Sequence, residues 1–185
     1  MIKKNKIVRN EVILVDHGDK PVGKASKTEA HRKPLLHRAF SIFLYHEDRL
    51  LIQQRAFDKY HSGGLWANTC CSHPGDELEI TKDAEQRLFD ETGIQCSVKE
   101  IFCFEYEHQF DEALYEHEYD HVMVGDFDGD FQPNPAEVEA MRWITFSELE
   151  KEMAEEPQKF APWFVIAAPK VVEYLKQEKL KSRII

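Results

Sequence analysis

Apolar and polar positions divide the chain into short segments of two periods. The clearest is Leu36 to His46 (LHRAFSIFLYH), which is apolar over a strand's length and longer. Glu47-Asp48 predicts a tight turn, and Arg49 to Gln54 returns as a second strand, so a β-hairpin enters the core. Upstream, Asn10 to Asp16 reads as a strand closed by the turn-rich His17-Gly18-Asp19-Lys20-Pro21, and Lys24 to Pro34 reads as polar and irregular. Arg55 to Gly64 is a loop with a Gly63-Gly64 pair, followed by the β-favouring run Trp66 to Ser72 that stops at His73-Pro74. Val98 to Tyr106 and His117 to Phe127 read as strands of one sheet joined by an acidic hairpin, and Trp143 to Thr145 as a further short strand.

Three segments change to the helical period. In Ile80 to Thr92, Ala84, Leu88 and Thr92 recur every four residues, with Thr81 as the expected cap and Gly93 as the stop. Ser147-Glu148-Leu149-Glu150 matches a capping box, and Ala161 to Lys179 is amphipathic, with a disturbance expected at Pro169. Strands in the middle, interrupted and closed by helices, predict an α/β fold: an α/β/α sandwich on a mixed β-sheet, with an N-terminal strand extension.

Composition narrows the function classes. At 185 residues, with 42% hydrophobic residues, the chain suits one ordinary globular domain over 1–185, with 1–9 and 179–185 expected to be flexible ends. It has no apolar run of about 18 residues, and its basic first residues precede no apolar stretch, so neither membrane insertion nor a signal peptide is expected. Four cysteines without a CxxC pair suit reduced thiols in a cytoplasm. A net charge of −10 argues against nucleic-acid partners. The charge is also segregated. Glu100 to Met141 holds thirteen acids and no Lys or Arg, while 16 of the 24 cationic residues precede it. Folding could set an acidic strand against a basic segment and make a site for a metal plus an anion.

Candidate chemistry follows from spacing. Along an extended run Cys71 and His73 share a face, which suits a nucleophile or proton carrier beside a metal ligand; the alternative is a small buried apolar thiol. Glu116 and Glu118 share a face that continues into Asp120, Val122 and Val124, leading from a polar site into a core. Arg87 and Glu91 share a helix face, where a solvent-exposed ion pair is the simplest reading.

Four motifs in order, Leu35 to Leu44 (LLHRAFSIFL), Asn68 to Pro74 (NTCCSHP), Glu116 to Glu118 (EHE) and Ala161 to Phe164 (APWF), make the chain resemble the type I, metal-dependent isopentenyl-diphosphate delta-isomerases, which have a Nudix fold. The resemblance spans about Asn10 to Leu175. Aligned on Gly93, a Nudix hydrolase box is broken: Ser72 replaces its first glycine, Leu78 its first glutamate and Gln86-Arg87 its Arg-Glu pair, leaving Asp90-Glu91 and Gly93-Ile94 as an echo. The fold is expected to persist without the hydrolase chemistry.

The resemblance implies conversion of isopentenyl diphosphate to dimethylallyl diphosphate, with Cys71 and Glu118 as proton carriers and Tyr106 relaying or orienting. It implies a metal site at His31, His37, His73, Glu116 and Glu118, and a second, substrate-bridging Mg²⁺ at Glu91. Ligand type alone suggests Zn, Mn or Fe, whereas the family implies Mg²⁺ or Mn²⁺, with Zn²⁺ as an alternative occupant. Lys27, Arg55, Lys59 and Arg87 would grip the diphosphate, making Arg87–Glu91 a binding pair. Trp163 would face a carbocation, although the residues alone favour a core anchor there. His17, His46, His61, His108, His117 and His121 read as satisfied or surface histidines. The expected partner is a small isoprenoid diphosphate, and the expected state a monomer or weak homodimer. A Nudix pyrophosphohydrolase and a non-catalytic Nudix-fold binding module are the competing readings.

Overall fold

The apolar run becomes β3 (His37–His46), the strand that organises the sheet. Along one edge it pairs in parallel with β8 (Leu114–Asp126), from His37↔Glu118 to Tyr45↔Asp126. Its other edge is shared in sequence by three partners. These are β1 (Glu11–Val15) at His37, β6 (Cys70–Ser72) at Phe40 to Ile42, and β4 (Arg49–Arg55) at Leu44 to His46. The computed structural model describes residues 10–75 and 79–182, so the ends at 1–9 and 183–185, and Leu78 of the broken box, lie outside the described residues. Within them, a nine-stranded mixed sheet is completed by β2 (Pro21–Ser26), β5 (Trp66–Ala67), β7 (Lys99–Asp111) and β9 (Val138–Thr145).

Period-two alternation sends the residues of β3 into two cores. Phe43, with Val122 and Val124 of β8, packs against Phe164, Ala168 and Val171 of the long helix α4 (Pro162–Ser182). Phe40, Ile42 and Leu44 pack on the other side with Ala84 and Leu88 of α2 (Ile80–Thr92). Each core is apolar and closely filled. A large-to-small change such as Phe164→Ala should therefore cost ~3–5 kcal/mol. The α/β/α arrangement and the N-terminal strand are thus both present.

Local boundaries differ from expectation in instructive ways. Lys24 to Pro34 is not irregular. It contributes to the exposed strand β2, paired with β1, and to a short helix α1 (Lys27–Arg32) capped by Ser26, whose hydroxyl accepts from the Glu29 amide at 3.1 Å. Thr81 lies inside α2, which begins at Ile80 with Glu79 at the cap position and no side-chain cap bond. The capping box of α3 (Phe146–Glu155) is Thr145 with Glu148, two residues before Ser147. Starting there places the buried Phe146 in the helix's first turn. Pro169 removes one backbone donor without ending α4, which runs through Lys179 to Ser182. Gly93 takes the left-handed conformation (φ 74°) that ends α2.

Candidate active site and metal centre

Three short elements bring the histidines together. His37 opens β3, His31 sits in the last turn of α1, and His73 follows β6 on the side of Cys71. Opposite them the alternation of β8 presents Glu116 and Glu118, the latter in register with His37. One ligand atom from each of these five lies within 4.8 Å of all the others. His37 Nε2 is 3.2 Å from His73 Nε2, His73 Nε2 is 3.0 Å from Glu118 Oε1, and His31 Nε2 is 3.0 Å from Glu116 Oε1.

Tautomers explain what this cluster lacks. His37 Nδ1 donates to the Leu35 carbonyl at 2.8 Å, and His31 Nδ1 to the Lys27 carbonyl at 2.5 Å. A carbonyl only accepts, so in neutral rings the protons sit on Nδ1 and each Nε2 turns a bare lone pair inward. His31 Nε2 and Glu116 Oε2 are buried without a hydrogen-bond partner. The inward-facing lone pairs of His31 and His37, with His73 Nε2 and two carboxylates beside them, fit a divalent cation. Burial pushes His37 down to about 4, which keeps it neutral as a ligand must be. The same burial, reinforced by the charges of Glu116 and Asp120, pushes Glu118 well above the usual carboxylate range.

Beside the cluster opens a cavity of about 360 Å³, lined by Cys71, Tyr106, Glu118 and Trp163 and by the four cations Lys27, Arg55, Lys59 and Arg87. Tyr106 donates its hydroxyl to Glu118 Oε2 at 2.7 Å. Cys71 comes from the strand on the other edge of β3, opposite Ser41, and Arg55 Nη1 lies 3.5 Å from its sulfur. Burial pushes the Cys71 thiol up to about 12, against the pull of Arg55. The Arg55 guanidinium also sits 5.2 Å from the centre of the Trp163 ring, whose Nε1–H donates to Asn68 Oδ1 at 3.0 Å. Trp163 is therefore both an anchor of α4 and a wall of the cavity.

The Arg87–Glu91 pair is not solvent-exposed. Arg87 Nη2 is 2.7 Å from Glu91 and 3.2 Å from Glu137, and both carboxylates are buried. Glu137, which also pairs with Lys59, escaped the sequence reading because no motif marks the polar turn before β9. His61 escaped too: of the two alternatives, surface or satisfied, the structure keeps the satisfied one, but its partner is a residue of the cluster. Its Nε2 lies 2.6 Å from Glu116 Oε1, its ring stands edge-on to Trp163, and burial pushes its pKa down to about 4. The signal was the Gly63-Gly64 pair. A Cβ on Gly63 would come within 2.6 Å of the Phe57 carbonyl oxygen, and Gly64 has φ 77°. The glycines let the loop double back and carry Lys59, Tyr60 and His61 over the site.

The broken hydrolase box is visible in α2. Gln86 bonds Asp90 at 3.0 Å on an exposed face, and of the box's two remaining carboxylates, Asp90 and Glu91, only Glu91 lines the cavity. A NUDIX domain family model nevertheless matches residues 35–164. The isopentenyl-diphosphate delta-isomerase of Burkholderia multivorans is 46% identical over 85% of this chain and 90% of its own. The isopentenyl-diphosphate delta-isomerase 2 of Aromatoleum aromaticum is 42% identical over 89% and 88%. Among solved structures, the DR0079 protein of Deinococcus radiodurans aligns with a TM-score of 0.63 at 20% identity, covering 79% of this chain and 90% of that one, which speaks to the fold alone.

Proposed function

Because the chain belongs to the isopentenyl-diphosphate delta-isomerase family and has a Nudix domain, we propose that it moves the C3–C4 double bond of isopentenyl diphosphate to C2–C3, giving dimethylallyl diphosphate. One proton is added at C4, the pair of electrons of the double bond forms the new C–H bond, and a tertiary cation is left at C3. Loss of a proton from C2 returns an electron pair to the carbon framework as the new double bond. Cys71 and Glu118 are the two carriers: one delivers, the other accepts, and the reverse reaction exchanges their roles.

The placement of the two carriers is the observation that carries this reading. They stand on strands at opposite edges of β3 and line one cavity, so a flat allyl unit between them can be reached from two sides. Tyr106, bonded to Glu118, orients the carboxyl group and can pass its proton. Lys27, Arg55, Lys59 and Arg87 bind the diphosphate. Trp163, whose ring already receives a guanidinium, faces the carbocation, an interaction worth ~2 kcal/mol in a desolvated site.

His31, His37, His73, Glu116 and Glu118 would hold Mg²⁺ or Mn²⁺, with Zn²⁺ an alternative occupant, and Glu91 would meet a second Mg²⁺ on the diphosphate. Such an ion supplies positive charge that fixes the Glu118 carboxylate and lowers its proton affinity. The chain's own contribution is to exclude water from the cation and to place the two proton carriers.

Proton NMR of isopentenyl diphosphate with the enzyme and Mg²⁺ in D₂O tests the reading. Dimethylallyl diphosphate should appear with deuterium in the C4-derived methyl group, isopentenyl diphosphate re-formed by the reverse reaction should carry deuterium at C2, and Cys71→Ser should abolish both. A folded, metal-loaded sample that neither isomerises nor exchanges would overturn it, and phosphate release instead would favour a diphosphate hydrolase.

A further inference from the structure

Outside the cavity, the opposite face of β7 and β8 carries a second group of ligand-type side chains: Cys103 and Glu100 from β7 and His121 from β8. Cys103 and His121 are register partners across the two strands, which fixes their approach. Cys103 Sγ is 3.3 Å from His121 Nδ1 and 3.4 Å from Glu100 Oε1, and His121 Nδ1 is 2.7 Å from Glu100 Oε2. We propose that Cys103, His121 and Glu100 form a further metal site, for a zinc-like divalent cation, distinct from the His31–Glu118 centre and from Glu91.

A tetrahedral zinc with thiolate, imidazole and carboxylate ligands separates them by ~3.3–3.6 Å. The two distances from sulfur lie close to that range, while Glu100 meets the sulfur through Oε1 and the imidazole through Oε2, so its carboxylate has to turn for one oxygen to share an ion with both. The mixed set of one sulfur, one nitrogen and one oxygen suits zinc better than magnesium. Glu100 is exposed, so an ion has a way in from solvent and water can supply the fourth ligand.

Behind the imidazole stands a supporting shell. His121 is only 8% exposed, and its Nε2 faces Asp19 Oδ2 at 3.1 Å yet has no hydrogen-bond partner. Asp19 is itself held by Arg38, whose Nε donates to Oδ1 at 2.7 Å and whose Nη2 donates to the Asp19 carbonyl at 2.6 Å. A cation on Nδ1 requires the ring proton on Nε2, on the side of the Asp19 carboxylate, where a small turn of the ring would complete a hydrogen bond. A carboxylate behind a ligating histidine is the usual way such a ring is oriented. The bound ion would tie the turn between β1 and β2 to the β7–β8 hairpin.

Co²⁺ titration of metal-free protein, followed by electronic absorption, tests the site. We expect two equivalents bound, one with a thiolate-to-cobalt charge-transfer band. Cys103→Ser should lose that band and one equivalent while isomerisation stays unchanged, and Cys71→Ser should keep the band. Asp19→Asn, which suits the left-handed backbone there (φ 60°), should weaken this equivalent by about 10-fold. A wild-type spectrum without the band, or a band that survives Cys103→Ser, would overturn the proposal and leave His121 held between Glu100 and Asp19 with no ion. The band and the number of equivalents need no turnover, so they stand whether or not the proposed reaction is observed.

Discussion

The two faces of β8 carry the same kinds of residue under different conditions. Glu116, Glu118 and Asp120 are buried on one face; the two glutamates meet three histidines and line a cavity with a thiol and a tyrosine, and Asp120 accepts from Ser41. On the other face His117 and Tyr119 are partly open, and His117 pairs at 2.8 Å with Glu105, whose side chain is about a third exposed. Carboxylates on the inner face are desolvated, so their protons and counter-charges have large energetic weight; those on the outer face are screened by water. One strand can serve both purposes because its side chains alternate with a period of two.

The sharpest way to break this contrast is to make matching changes on adjacent residues. Glu118→Gln keeps the shape but removes the carboxyl group proposed to carry the proton and to help hold the ion. Turnover should fall by about 10²–10⁴ in a D₂O exchange assay. Tyr119→Phe, on the neighbouring outward position, should leave turnover within about twofold. Equal losses from the two would show that the alternation does not separate chemistry from surface.

Next in size is the metal. Bound to the native state alone at 100 times its dissociation constant, an ion adds about 2.7 kcal/mol of stability. Chelation should therefore lower the melting temperature, and added Mg²⁺ or Mn²⁺ should restore it in a concentration-dependent way. In Cys103→Ser protein the recovery that remains belongs to the inner cluster. If His37→Gln leaves that recovery intact, the inner cluster is not the ion's site.

How much of this could be read in advance depended on distance along the chain. The strand character of Leu36 to His46 and the common face of Glu116 and Glu118 are local patterns, and both hold in β3 and β8. The Cys71–His73 spacing likewise puts both residues at the cavity. His61 and Glu137 were missed because their roles depend on where a glycine-rich loop and an unpatterned turn come to rest, which only tertiary contacts decide. The thiol–imidazole pair Cys103–His121 was illegible for a related reason: the residues are 18 apart and meet only through the register of a long hairpin. Cap positions slipped by a residue or two because burial of Phe146, not cap chemistry alone, sets where α3 begins.

Acid should separate the two faces more gently. In the metal-free protein His37 and His61 are both pushed down to about 4 by burial, against about 6.5 in the unfolded chain. Between those values the unfolded state binds protons that the native state does not, so unfolding gains free energy as pH falls. The contribution is intact above about 6.5 and is lost progressively from there towards 4, at a slope on the order of 1 kcal/mol per pH unit for each histidine. Urea denaturation at a series of pH values should show this slope, and His37→Gln should reduce it. A flat profile would mean that these imidazoles take up protons in the native state as readily as in the unfolded one.

The smallest effect is expected from the outer-face pair. Glu105→Gln removes the charge that accepts from His117 and from the exposed His17, but water can replace both bonds. The His117–Glu105 pairing should therefore be worth under about 1 kcal/mol in a double-mutant cycle, and less in high salt. Turnover should not change, because neither residue reaches the cavity. A larger, salt-insensitive coupling would mean that the outer face of β8 is organised as tightly as the inner one, and that exposure alone does not divide the strand's chemistry.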